Sequence, residues 1–361
     1  MGTVLMTGFP GFLASALLPR VLDRRPDDEA ICLVQDHHLA TARRRLAALE
    51  RADRHLAERV GLVTGDITVP DLGVDPGDAA ALADVDEVWH LAAVYDVTVP
   101  EEFARRVNVA GTDHIVQFCR RLARLRRLQY VSTCAVSGDY RGEFGEDDLD
   151  VGQGFPNFYV STKHMAEQVV RAAMGEVLPA TIYRPGMVVG DSTTGRTQKY
   201  DGPYFVARYM MRLPGVTVLP AVDPHARQPL VPRDFVIDTM DALSASHGSL
   251  GRTYHVMDPE PPTSREVAEI FADVLGRRLI WVPVDPRVVR VLLRSVPGLE
   301  RLTGLPAETL EYFNYPTTYS TANLVADLAG TGLSCPPFAS YAARLLEFMQ
   351  AHPEFDSHPM I

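Results

Sequence analysis

The sequence predicts an α/β fold: a doubly wound parallel sheet followed by a smaller C-terminal lobe. Three observations predict it. Short β-rich apolar runs alternate with helical stretches through the first half of the 361 residues, the pattern of successive βαβ units. A glycine-spaced turn falls directly between the first such run and the first helical stretch. After Gly186 the rhythm breaks into polar, Gly-rich and Pro-rich segments.

In order, residues 4–7 read as the first strand and 12–22 as the first helix. Residues 30–34 read as the second strand and 41–59 as one long Arg/Ala/Leu helix. Strands follow at 60–64 and 87–91, a helix at 101–125, a strand at 128–132, a helix at 159–173 and a strand at 180–183. Beyond them, 190–204 reads as a long functional loop and 214–232 as irregular. A helix is expected at 235–246, a strand at 253–257 and a helix at 264–275, with mixed helix and loop from 277 on. The expected division is a nucleotide-binding domain at residues 1–190 and a substrate-binding lobe at 191–361, with about 230–260 returning to the first domain. A sheet of this kind binds its ligand beyond the carboxyl ends of its strands.

Composition narrows the function. Hydrophobic residues make up 46% and charged residues 22%, an ordinary globular balance. A net charge of −11 excludes a general nucleic-acid binder, which needs clustered excess Lys and Arg. The four cysteines, Cys32, Cys119, Cys134 and Cys335, lie far apart and read as thiols in a reducing cytoplasm. No His/Cys spacing suits a metal, so none is expected. The apolar first 19 residues lack a basic start and carry Gly8 and Gly11, so they read as strand, turn and helix rather than a signal peptide. No run reaches the roughly 18 apolar residues of a membrane span, and a cytoplasmic location is expected.

Thr7-Gly8-Phe9-Pro10-Gly11-Phe12-Leu13-Ala14 reads as the phosphate turn of a Rossmann-type sheet, the alternative being a plain structural turn, and its place between the first strand and first helix favours the former. Gly8 permits the tight turn, Gly11 close approach of a pyrophosphate, and Ala14 packing of helix on sheet. The helix N-terminus supplies N–H groups and a favourable dipole to the anion. Asp36, at the end of the second strand, suits a ribose 2′-hydroxyl, whereas Arg43 and Arg44 suit a 2′-phosphate. Asp66, in Gly65-Asp66-Ile67, reads either as an adenine contact or as a turn residue.

Tyr159 and Lys163 stand at i and i+4, on one face of a helix. An ammonium beside a phenol favours the phenolate, which fits the Tyr for proton exchange during hydride transfer. The chain has just two lysines, Lys163 and Lys199, so the spacing carries weight. Ser132 and Thr133 end the fifth strand, and alternation lets one of them face the same crevice.

These motifs, with His90-Leu91-Ala92-Ala93, Asn108-Val109-Ala110-Gly111-Thr112, Ser132–Gly138, Arg184-Pro185-Gly186 and Pro232-Arg233-Asp234-Phe235-Val236, resemble the extended short-chain dehydrogenase/reductase family. The resemblance implies Tyr159 as acid/base and Lys163 as holder of the nicotinamide ribose. It implies Thr133 as the group polarising the substrate oxygen and Asn108 as holder of a water in a proton relay. It implies a cofactor lined by Gly8, Phe9, Gly11, Phe12, Leu13, Asp36, Arg43, Asp66, Ile67, Leu91, Ala92, Ala93, Tyr159, Lys163, Pro185, Gly186 and Val188. NADP(H) is favoured and NAD(H) is the alternative; Gln35 stands where NADPH-preferring relatives often carry Arg.

Gly190-Asp191-Ser192-Thr193-Thr194-Gly195, the run from Tyr200 to Phe205, and Cys335-Pro336-Pro337-Phe338 are similar to the fatty acyl-CoA reductase and carrier-protein thioester reductase branch. That branch implies reduction of an acyl thioester, on CoA or a carrier protein, to an aldehyde or alcohol, and the wider family often forms homodimers. The alternatives are a ketone or aldehyde reductase or an alcohol dehydrogenase in secondary metabolism, a nucleotide-sugar epimerase or dehydratase, and a non-catalytic cofactor sensor. Arg287, Arg290, Arg294 and Arg301 fall at helical spacing and suit a phosphopantetheine, an acidic carrier, a membrane surface or plain solvent. Tyr200, Tyr204 and Phe205 suit either a substrate channel or loop packing.

Overall fold

A computed structural model describes residues 2–96, 99–176, 178–212, 215–220, 223, 225–284, 288, 291, 295 and 316–355. The arginines at 287, 290, 294 and 301 lie outside the described residues.

The predicted sheet is present. Its strands are β1 (Thr3–Thr7), β2 (Glu29–Val34), β3 (Val60–Thr64), β4 (Val85–His90), β5 (Arg127–Val131), β7 (Ala180–Pro185) and β11 (Thr253–Val256). They stand in the order β11-β7-β5-β4-β1-β2-β3, seven strands, and every adjacent pair is parallel. The chain leaves β1 toward β2 and β3, then crosses to β4 on the other side. The topological switch, and hence the binding crevice, therefore lies beyond the carboxyl ends of β1 and β4. Every residue of β4, β5 and β7 is buried, as in sheets covered on both faces.

Alternation within β1 sorts the two cores. Val4 and Met6 join the apolar cluster formed with α1 (Ala14–Arg24) and α9 (Arg233–Ala245). Leu5 joins the opposite cluster, with α6 (Gly111–Arg121) and α7 (Phe158–Glu176). A third cluster gathers Tyr204 of α8 (Pro203–Arg212), Phe271 of α10 (Ser264–Leu275), and Phe338 and Tyr341 of the last helix, Phe338–Ala351.

Several elements differ from the sequence reading. The long helix at 41–59 is two, α2 (Leu39–Ala52) and α3 (Arg54–Ala57). Asp53 breaks it by turning extended and accepting a hydrogen bond from the Leu56 N–H, 3.0 Å, the competition that makes Asp a cap rather than a helix interior residue. The helix from 101 contains a π-helical segment, Arg105–Ala110. The Pro-rich stretch expected to be irregular contains β9 (Val216–Pro220) and β10 (Leu230–Pro232), which pair with β12 (Arg278–Val282) and β8 (Met187–Val189). Their partners lie more than forty residues away in the chain, beyond the reach of a local pattern. β6 (Gly142–Phe144) and β13 (Thr317–Tyr319) form one further small parallel pair.

Candidate active site

The phosphate turn connects β1 to α1. Gly8 has φ +88°, and a Cβ there would sit 2.8 Å from the Leu91 carbonyl carbon. A Cβ on Gly11 would stand 2.6 Å from the Gly8 carbonyl oxygen, which instead accepts the Gly11 N–H at 2.7 Å. Both positions therefore require glycine. Leu13 caps α1 without a side-chain hydrogen bond, and its first turn carries no acidic residue. The helix end is thus electrostatically open to an anion. Phe9 is packed in the core, so it presents backbone to the crevice, while Phe12 and Leu13 are half-buried.

On the adenosine side, Asp36 is exposed in a short 3-10 turn, and Arg43 and Arg44 are exposed on α2. Arg44 bonds the Thr41 hydroxyl on its own helix at 2.9 Å. The arginine turned toward the site is Arg45, two places beyond Arg43. Burial, together with repulsion from Arg196 and Arg233, pulls its pKa below the ordinary value. Arg233 lies over the Phe12 ring, 5.1 Å from its centroid, and pairs with Asp191 at 3.2 Å. Asp191 also accepts from Thr193 and Thr194, and Ser192 is held by Asp234, which fixes the 190–197 loop beside the turn. Three guanidinium groups thus converge near the Gly8–Gly11 turn.

Sequence reasoning missed Arg45. The signal was its helical phase: Ala42 is fully buried, and a residue three places on shares its face.

Asp66 accepts the Thr68 N–H at 2.8 Å. Burial opposes ionisation, but bonds from Thr68 and Gln35 hold its carboxyl below the usual range. Ile67 is buried against Gly111, and Leu91, Ala92 and Ala93 are half-buried after β4. Pro185 is buried; Gly186 abuts the Pro229 carbonyl, which would lie 2.2 Å from a Cβ, and Val188 is half-buried.

At the end of β5 the hydroxyls divide. Ser132 is buried and donates to Glu167 at 2.6 Å. Thr133 is half-buried, and its hydroxyl oxygen accepts the Ala135 N–H at 3.3 Å. Tyr159 is half-buried at the start of α7. Lys163 is 3% exposed and donates to the Val131 carbonyl at 2.8 Å and the Tyr130 hydroxyl at 3.1 Å. Burial pulls its pKa down to about 8, against the attraction of Glu167. Glu167 is fully buried; Arg184 at 2.6 Å and Arg171 at 3.0 Å overcome its burial and hold it at about 2.

Asn108 lies in the π-helical segment, 1% exposed. Its side chain bonds both backbone groups of Val94, at 2.9 and 3.0 Å, and the Thr162 hydroxyl at 3.0 Å. It clamps the strand-end loop to α7. Tyr200 and Tyr204 are core residues: Tyr200 donates to the His352 carbonyl at 2.9 Å, and Tyr204 accepts the Gly190 N–H at 2.9 Å. No group of metal-ligating side chains occurs among the described residues, and no described helix is long and apolar enough to cross a membrane.

A glycine turn under an open helix end, at the switch point of a parallel sheet, is the geometry of a Rossmann-type nucleotide-binding fold. The family model described as "Male sterility protein" matches residues 6–240, and the chain belongs to that family. It is similar to the terminal R domain of the myxalamid PKS-NRPS biosynthetic pathway, with 29% identity, a TM-score of 0.83, and 100% of this chain and 93% of that one covered. It is 27% identical to the nonribosomal peptide synthetase asaC of Aspergillus flavus, over 92% of this chain and 34% of the relative. It is 27% identical to the aldehyde reductase lnbA of the same organism, over 87% of this chain and 32% of the relative. The chain thus spans about a third of the length of those curated relatives.

Proposed function

We propose that the chain is an NADP(H)-dependent reductase of acyl thioesters, carried on CoA or on the phosphopantetheine of a carrier protein, yielding an aldehyde or alcohol. The observation that carries this reading is Lys163: buried at the carboxyl end of β5, next to the switch point, with its pKa lowered to about 8.

The residues present fit a dinucleotide. Gly8 and Gly11 leave a cradle that a Cβ would fill, and the open end of α1 suits a pyrophosphate. Arg45, Arg196 and Arg233 suit a 2′-phosphate, whose charge would relieve their mutual repulsion. They offer what Gln35 does not. When bound, the nicotinamide supplies the hydride.

Lys163 uses two of its three ammonium protons on Tyr130 and Val131, leaving the third to hold the ribose. Thr133 donates its hydroxyl proton to the substrate oxygen, since the bond to Ala135 uses it as acceptor. Tyr159 donates the second hydrogen bond. As hydride adds to the thioester carbon, the carbonyl oxygen becomes an oxyanion, which these two donors stabilise. Collapse of the tetrahedral intermediate re-forms C=O, breaks C–S and expels a thiolate, leaving an aldehyde. Further reduction to the alcohol would need a second equivalent of reduced cofactor, with Tyr159 giving the alkoxide its proton, in keeping with the aldehyde reductase relative. Residues 191–361 would supply most of the acyl-binding lobe.

The test is an NADPH and NADH depletion assay with acyl-CoA thioesters and free aldehydes, run beside Tyr159→Phe. Thioester-dependent oxidation of NADPH, lost in the variant, is expected. Turnover of ketones alone would replace the thioester reading by a carbonyl reductase.

A further inference from the structure

Behind Lys163 runs a buried column of side chains that the reaction does not use. Thr7, the residue before Gly8, lies 2.8 Å from His90 Nδ1. His90 Nε2 lies 3.1 Å from the Thr112 hydroxyl. The His90 ring packs against the Tyr130 ring, 5.7 Å between centroids, and the Tyr130 hydroxyl accepts from Lys163. Thr7, His90, Thr112, Tyr130 and Lys163 are each at most 3% exposed, so water does not satisfy these groups.

Donor counting sets the protons from Thr112 to Thr7. The Thr112 hydroxyl spends its hydrogen on the Asn108 carbonyl, 2.6 Å away. It must therefore accept from His90 Nε2–H. His90 Nδ1 is then an acceptor and takes the Thr7 hydroxyl proton. The Thr7 oxygen in turn accepts the N–H groups of Leu91 and Ala92, at 3.2 and 3.1 Å. His90 is neutral in this arrangement, and burial, helped by Lys163, keeps its pKa down at about 3. The Tyr130 oxygen turns a lone pair to the Lys163 ammonium, which also lies 4.7 Å from the ring centroid. Burial raises the Tyr130 pKa well above ordinary, so it stays a phenol throughout.

We propose that Tyr130 is a positioning residue for Lys163, and that the column Thr7–His90–Tyr130 ties the catalytic lysine to the phosphate turn. This rests on the reading of Lys163 as the ribose-holding group. A change at the turn, such as anchoring of a pyrophosphate, reaches the lysine through buried, packed side chains rather than through solvent. The charged or titratable groups facing Lys163 are His90 from β4, Tyr130 from β5, and Tyr159 and Glu167 from its own helix, the last neutralised by Arg171 and Arg184.

The chain's two lysines make the test direct. Lysine labelled with 13C at Cε gives two resonances, and Lys199→Arg assigns them. In the full chain, the Lys163 resonance should titrate near pH 8. Tyr130→Phe keeps the ring but removes the acceptor, so the charged lysine loses a partner. Its midpoint should fall by about one unit, a tenfold change in acid dissociation, with the Lys199 resonance unmoved and kcat reduced more than the thioester KM. Tyr130→Met, which removes the same acceptor with a flexible apolar side chain, should move the midpoint the same way, and decides the matter if Tyr130→Phe does not fold. An unshifted Lys163 midpoint in a folded variant overturns the column. The resonance needs no turnover, so inactivity on every thioester would sink the reductase reading and leave this result standing.

Discussion

Replacing Arg45 by Gln tests the cofactor assignment where the structure is most specific. Arg45 is half-buried on α2 and repelled by Arg196 and Arg233; among the described residues, neither Arg45 nor Arg196 makes an ion pair. A phosphate placed among them gains a charge-assisted hydrogen bond worth about 1.5–3 kcal/mol. At 1.4 kcal/mol per tenfold, Arg45→Gln should weaken NADPH about 10- to 100-fold, while NADH, lacking the phosphate, changes by about twofold or less. The effect should shrink in high salt, because the group is partly exposed. The same substitution removes a repulsion from the ligand-free protein, so its Tm should rise slightly, by about 1–2 °C for roughly 0.4 kcal/mol. Calorimetric titration with both nucleotides and a thermal melt read all of this. Equal loss of NADH and NADPH affinity would refute the 2′-phosphate assignment, and a falling Tm would refute the repulsion.

Other outcomes follow from the same geometry. Tyr159→Phe should lower kcat by about 10²- to 10⁴-fold with NADPH affinity retained, measured by turnover and titration. Activity should decline as pH rises through about 8, as Lys163 loses its charge. Stability should move the other way: its folded pKa lies below the unfolded value of 10.5, so the unfolded chain binds the extra proton between about 8 and 10.5. There the buried lysine's penalty is relieved as pH rises, and denaturant titrations of wild type against Lys163→Met should show that slope in wild type alone. Glu167→Gln leaves Arg184 buried without its partner and should cost about 3–5 kcal/mol in unfolding free energy. In wild type, the stability that Glu167 contributes should be lost as pH falls from about 4.5 toward 2.

The strands of the central sheet were legible because each is a short β-rich run, buried throughout in β4, β5, β7 and β11, and β3 and α10 fall at the residues that the pattern marks. The phosphate turn was legible because Gly8 and Gly11 are demanded by backbone approach rather than by anything distant. The π-helical segment at Arg105–Ala110 was not, since its apolar spacing continues the helix on either side and the extra residue shows only in hydrogen bonding. Ser132 and Thr133 could not be separated by alternation alone; the buried Glu167, thirty-five residues on, claims Ser132. Arg45 was hidden among three adjacent arginines, distinguished only by helix phase. Tyr200 and Tyr204 fitted a channel as well as a core until partners at His352 and Gly190 were seen. His90 stood inside a recognisable motif, yet its path to Lys163 joins β1, β4, β5 and α7, which no local pattern reports.

The most direct measurement follows the transferred atom. The protein is given NADPH deuterated at the hydride-donating position of C4, together with an acyl thioester on a phosphopantetheine arm. Products are then read by mass spectrometry and released thiol by titration. One deuterium at the aldehyde carbon for each thiol released, or two in the alcohol, is the predicted result. Deuterium in a product whose thioester bond is intact, or thiol release without deuterium transfer, would contradict reductive cleavage of a thioester.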